Sequence, residues 1–131
     1  MNYSMLAVRH KDDVDIIDLY GIVLRSEEHK ALQAAIRRLV SSGSTRILIN
    51  MAEIIVINKA VVWPLMQMCI DTAKAGVKAK LLNVGEPVKT KLESTGIYSI
   101  FETQEDEESA IRSLSTYVAS HTAPGSEYFL G

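Results

Sequence analysis

The sequence predicts an α/β domain, a small mixed sheet covered by helices. Two short apolar-rich runs near the N-terminus are parted by a few polar residues, as in a hairpin. From Ser26 onward, stretches at helical spacing alternate with compact apolar runs. The central run, within Thr45 to Met51, reads RILIN and is apolar on both faces, as a buried parallel strand is.

Met5 to Arg9 and Val14 to Tyr20, separated by Lys11, Asp12 and Asp13, read as two adjacent antiparallel strands. Leu32, Ala35, Ile36, Leu39 and Val40 then mark one face of an amphipathic helix. Ser26 is the expected N-cap, Glu27 and Glu28 suit the positive end of the helix dipole, and Gly43 stops the helix. Ile54 to Ile57 is a second apolar run ending at Asn58. Beyond it Val62, Leu65, Cys69 and Ala73 repeat at helical spacing up to Gly76. Pro64 lies in this segment, so either it kinks a helix already begun or the regular helix starts there after a longer loop. Val77 to Val84 reads as a strand and Glu86 to Thr95 as a short helix with Pro87 in its first turn. Ile97 to Phe101 is expected to be a last short strand, and Asp106 to Ala119 the last helix. Residues 1–119 then form one domain. Residues 120–131 form an extension whose apolar tip, Tyr128, Phe129 and Leu130, is either incidental or docked.

A chain of 131 residues can bury a core without disulfides or metal. Its net charge of -2 gives no electrostatic case for nucleic acid. The lone Cys69 fits a reducing compartment, and no apolar run approaches the roughly 20 residues that span a bilayer. With no signal-peptide core at the N-terminus, a cytoplasmic protein without membrane or nucleic-acid partners is expected. Catalytic groupings are sparse. His10, His29 and His121 lie far apart and read as solvated; Cys69 lies on an apolar helix face and reads as a small core residue. No metal, cofactor or catalytic residue is therefore expected. The acids from Glu105 to Glu108 read as a solvated helix start. Lys74, Lys78, Lys80, Lys89 and Lys91 read either as ordinary surface charge or as a mild patch that steers an acidic partner.

Three segments, in this order, resemble the STAS family: Ile16 to Gly21 (IIDLYG), Ile47 to Val62 (ILINMAEIIVINKAVV) and Leu81 to Phe101 (LLNVGEPVKTKLESTGIYSIF). With Glu108 to Leu114, the resemblance covers roughly residues 5 to 118. It implies a sheet of four or five strands with about four helices packed mainly on one side. It also implies a non-enzymatic regulator of the anti-sigma-factor antagonist type, whose protein partner is an anti-sigma factor or serine kinase of that type. In such proteins the loop before the second helix carries an Asp-Ser-Ser-Gly-like motif whose second Ser is phosphorylated. A phosphate there adds roughly -1.5 to -2 charge and disrupts the complex.

Aligned on that motif, Asn58 stands at the Asp, Lys59 at the first Ser, Ala60 at the phosphorylated Ser and Val61 at the Gly. No Ser or Thr occurs between Arg46 and Ile70, so phosphorylation of this loop is excluded. The expected partner-binding residues are Asn58, Lys59, Ala60, Val61 and Trp63. Trp63 reads as a core or half-buried residue, its other reading being an exposed anchor. Two other functions stay open: an oligomeric scaffold, such as a homodimer through the Trp63 region or the tail, and a small-ligand-sensing domain.

Overall fold

The computed structural model describes residues 5–94, 103–104 and 106–122. β1 (Leu6–Lys11) and β2 (Val14–Leu19) pair antiparallel, with Lys11 opposite Val14 across a two-residue turn. Asp12 holds the left-handed φ of 55° that this tight turn requires, a conformation short polar side chains tolerate. β4 (Arg46–Asn50) lies parallel to β2, β6 (Lys78–Leu82) parallel to β4, and β7 (Thr103–Gln104) parallel to β6. The sheet order is β1-β2-β4-β6-β7, the small mixed sheet expected. The expected strand Ile97 to Phe101 lies outside the described residues.

β3 (Val23–Leu24) and β5 (Val56–Ile57) form a second, two-stranded parallel sheet that the sequence reading missed. Two residues are too few to show a period of two, so β3 left no signal before α1.

α1 (Ser26–Ser41), α2 (Lys59–Lys74) and α3 (Glu86–Glu93) share one apolar core with the sheet. Ile17, Leu19, Ile47, Ile49 and Leu81 meet Leu32, Ala35 and Ile36 of α1, Leu65 and Met66 of α2, and Val88 and Leu92 of α3. The alternate strand residues Val14, Ile16, Leu48 and Leu82 point to the other face. There they meet Ala110, Ile111 and Leu114 of α4 (Glu107–Thr122). Three helices thus cover one face and α4 the other. Continuing to Thr122, α4 passes beyond Ala119; the tip Tyr128 to Leu130 lies outside the described residues.

Helix starts depart from expectation in one respect. Arg25, not Ser26, caps α1, because Glu28 turns back to accept from both the Arg25 amide (2.9 Å) and its guanidinium (2.7 Å). That guanidinium holds the Glu28 carboxyl below the usual carboxylate range, chiefly by hydrogen bonding. α1 ends as read, with Gly43 at φ +96°.

The acidic start of α4 is not merely solvated. Glu107 accepts from Arg9 Nη1 of β1 at 2.9 Å, and Arg9 also donates to Asp18 of β2 at 2.6 Å. Asp18 in turn accepts from Asn50 of β4 at 2.7 Å, and Asn50 from Asn83, just past β6, at 3.2 Å. This chain of polar groups crosses the strand ends and pins the first turn of α4 to the sheet. The lysines do not converge: Lys78 and Lys80 share the α4 side with Leu82, whereas Lys89 and Lys91 ride on α3 at the opposite face.

Hydrogen bonds from Arg9 are the leading cause that holds Asp18 and Glu107 below the usual carboxylate range. Groups with depressed folded-state pKa values contribute stability above their unfolded values, about 4, and lose it as pH falls through the folded values. Arg9→Ala is expected to cost about 1 kcal/mol at neutral pH, the guanidinium being partly exposed. Its cost should shrink in acid. Urea denaturation at neutral pH and near pH 3 checks both.

Candidate functional site

The site is the stretch that leaves the buried end of β4 and enters α2. Asn50 Oδ1 accepts from the Ala52 amide at 3.1 Å, and the Met51 amide donates to Leu82 O at 2.9 Å, so the exit from β4 is fixed. Ile54 and Ile57 are buried and anchor the connector, leaving Ile55 and Val56 outside. The amides of Ile55 and Val56 donate to Ile22 O at 2.8 and 3.0 Å, and the Asn58 amide to Leu24 O at 3.0 Å. Residues 20–24 are thereby laid beside residues 55–58. Gly21, at φ +99°, lets the chain turn here, and its amide faces Glu53 Oε1 at 3.3 Å.

Asn58 is the N-cap of α2. Its Oδ1 accepts from the Ala60 amide at 2.9 Å, satisfying one of the amides orphaned at a helix start. The helix therefore begins at Lys59, and Pro64 sits inside it, which rules out the longer loop. Lacking an N–H, Pro64 cannot donate to the Ala60 carbonyl, so the first turn of α2 has one ladder bond fewer.

The expected site residues divide by exposure. Lys59 and Ala60 face solvent with Asn58. Trp63 corrects the reading as a core residue: it is 60 % exposed, because the inward face of α2 is already filled by Val61, Val62, Leu65 and Met66. Val61 is one of those fillers, so its side chain belongs to the core and not to the outer surface. What sequence reasoning missed is that Trp63 is one of several exposed apolar residues. Ile22 is 60 % exposed, Ile55 54 % and Val56 48 %, with Tyr20 at the margin. Isolated exposed apolar residues are common; here Ile22, Ile55 and Val56 are exposed on two hydrogen-bonded segments, and Trp63 is exposed in the helix that follows them.

His29 corrects the expectation of a solvated histidine. It is buried in α1 beside Pro64, and burial lowers its pKa despite the nearby Pro64 carbonyl. Cys69 packs against the core as expected, and burial pushes its thiol up to about 12, leaving almost no thiolate. Among the described residues, no three His, Cys, Asp or Glu side chains are placed to hold a metal, and no helix is long and apolar enough to cross a membrane.

The model of the STAS domain family matches residues 6–110. Comparison with curated protein sequences finds no match. Among solved structures the chain resembles the anti-sigma factor antagonist SpoIIAA in its unphosphorylated form, at 17 % identity, TM-score 0.67, with 84 % of this chain and 96 % of that one covered. An anti-sigma factor antagonist from Mycobacterium paratuberculosis matches at 14 % identity, TM-score 0.69, covering 84 % and 92 %. A variant of RsbS from Moorella thermoacetica matches at 12 % identity, TM-score 0.73, covering 88 % and 99 %. Identities this low establish a common fold.

Asn58→Ala removes the cap and is expected to cost about 1 kcal/mol, whereas Asn58→Asp, which keeps the acceptor, should cost little. Guanidinium denaturation of the two variants measures the difference.

Proposed function

Since the chain belongs to the STAS domain family, we propose that it is a non-enzymatic regulator of the anti-sigma-factor antagonist type, binding its protein partner through the start of α2 and the β3-β5 ribbon. The observation that supports this reading is the exposure of Ile22, Ile55, Val56 and Trp63 on segments flanking Asn58 to Val61, the stretch that resembles the family's switch loop. Lys59, Ala60 and Asn58 complete the surface. The partner is an anti-sigma factor or serine kinase of that type, met in the cytoplasm.

The usual switch does not accompany the surface. Ala60 has no hydroxyl, and its exposure at the second position of α2 gives a kinase nothing to modify. The complex is therefore constitutive with respect to this loop. Lys59 adds a positive charge at a helix start, where the dipole offers it no compensation, so it remains available to a carboxylate on the partner.

The test uses a serine-kinase anti-sigma factor from the same genome, titrated calorimetrically with and without ATP and magnesium. Binding is expected in both conditions. Trp63→Ala and Ile22→Asp should each weaken it by about 2 kcal/mol, roughly 30-fold, as loss of a central anchor does. Unchanged affinity in both variants, or phosphorylation elsewhere in the chain that abolishes binding, would contradict the proposal.

A further inference from the structure

α1 and α2 meet along a seam that buries the imidazole of His29. It is 6 % exposed, and its Nε2 closes no hydrogen bond. A buried polar atom without a partner is destabilising, so its retention calls for a reason. Its neighbours on α2 are Ala60 and Pro64, in the turn that lacks a ladder bond. That turn also carries Lys59 and Trp63 outward. The turn of α2 that lacks a ladder bond, the exposed Trp63 and an imidazole with an unpartnered Nε2 thus occupy one place.

We propose that the seam at His29 is a proton-operated lock on the start of α2, closed while the imidazole is neutral and opened when it takes a proton. The lock rests on the reading of this face as the partner-binding surface and gives it a control in place of the missing serine. A neutral ring packs beneath Pro64 and holds the first turn against α1. A charged ring has to reach water, because the seam offers it the Pro64 carbonyl but no counter-ion. Lys30 of α1 repels it. Asp71 of α2 lies at the same groove but is exposed and already accepts from Gln67 at 2.9 Å. Glu28, the residue before His29, is already paired with Arg25 at 2.7 Å, and Lys59 is a further like charge at the start of α2.

The remaining elements on which α1 packs bring no carboxylate that is not already paired. β3 contributes Val23 and Leu24; Arg9, Lys11 and Asp18 of β1 and β2 engage Glu107 or one another on the α4 side; His10 and Asp15 pair together. Opening exposes the imidazole and restores an ordinary affinity for protons. Acid below the usual histidine range, about 6.5, therefore drives the seam open, and the closed state is regained as pH rises.

Trp63 is the only tryptophan, so its emission reports on this turn alone. Emission and far-UV circular dichroism are followed from about pH 8 to about pH 5 in the wild type, His29→Gln, His29→Asn and His10→Gln. The expected result is an emission transition below the usual histidine range in wild type and His10→Gln, absent from both His29 variants, with the dichroism unchanged. No transition in wild type, its persistence in both His29 variants, or its coincidence with loss of helix would overturn the lock. A second arm measures affinity for the same kinase, which should fall on the order of tenfold in acid for wild type and stay level for His29→Gln. Failure to bind at neutral pH would count against the binding surface, while the emission arm still decides the lock. A transition in emission with unaltered affinity would overturn its control of binding.

Discussion

The architecture depends on one constraint: β4 is apolar on both faces and has to be covered on both. Ile47, Leu48 and Ile49 are each fully buried, and burial of such side chains is worth roughly 1.5–3 kcal/mol apiece. α1, α2 and α3 satisfy one side through Ile47 and Ile49, and α4 satisfies the other through Leu48. The hydrophobic effect has no direction, so it does not fix where along the sheet α4 sits. The polar chain from Glu107 through Arg9, Asp18 and Asn50 to Asn83 does. Because Asn50 also fixes the exit from β4, the same network sets the path of the segment that becomes the site.

From that exit the site follows by a series of local necessities. Ile54 and Ile57 turn inward, so Ile55 and Val56 turn out. Asn58 ends the extended segment and starts the helix. The inner face of α2 is filled by Val61, Val62, Leu65 and Met66, which leaves Lys59, Ala60 and Trp63 outside. An apolar surface so placed is costly in isolation and useful only when covered. Family membership and fold agree on the kind of domain.

The hairpin, α1 and the buried strand were legible because their periods are strong: Val14 to Tyr20 beside Met5 to Arg9, the stripe from Leu32 to Val40, and RILIN. The resemblance singled out the stretch from Asn58 to Trp63 as the candidate site. What the sequence hid was of two kinds. β3 is too short to carry a period, and its partner Val56–Ile57 shows only as an apolar run. Burial of single residues depends on neighbours that one strand of text does not show. Trp63 was displaced from the core by Val61 and Val62, and His29 was drawn into it by Pro64. Arg25 replaced Ser26 as the cap of α1 because its guanidinium gives Glu28 a second partner. In each case a tertiary or side-chain contact overrode a sound local preference.

The central claim, that binding runs through the start of α2 and the β3-β5 ribbon, is tested most directly by hydrogen exchange on the complex with the anti-sigma kinase. Protection on binding is expected in residues 20–25 and 54–66, with α4 and the hairpin turn at Asp12 unchanged. Protection confined to α4 or the hairpin, with residues 54–66 exchanging as in the free chain, would contradict it.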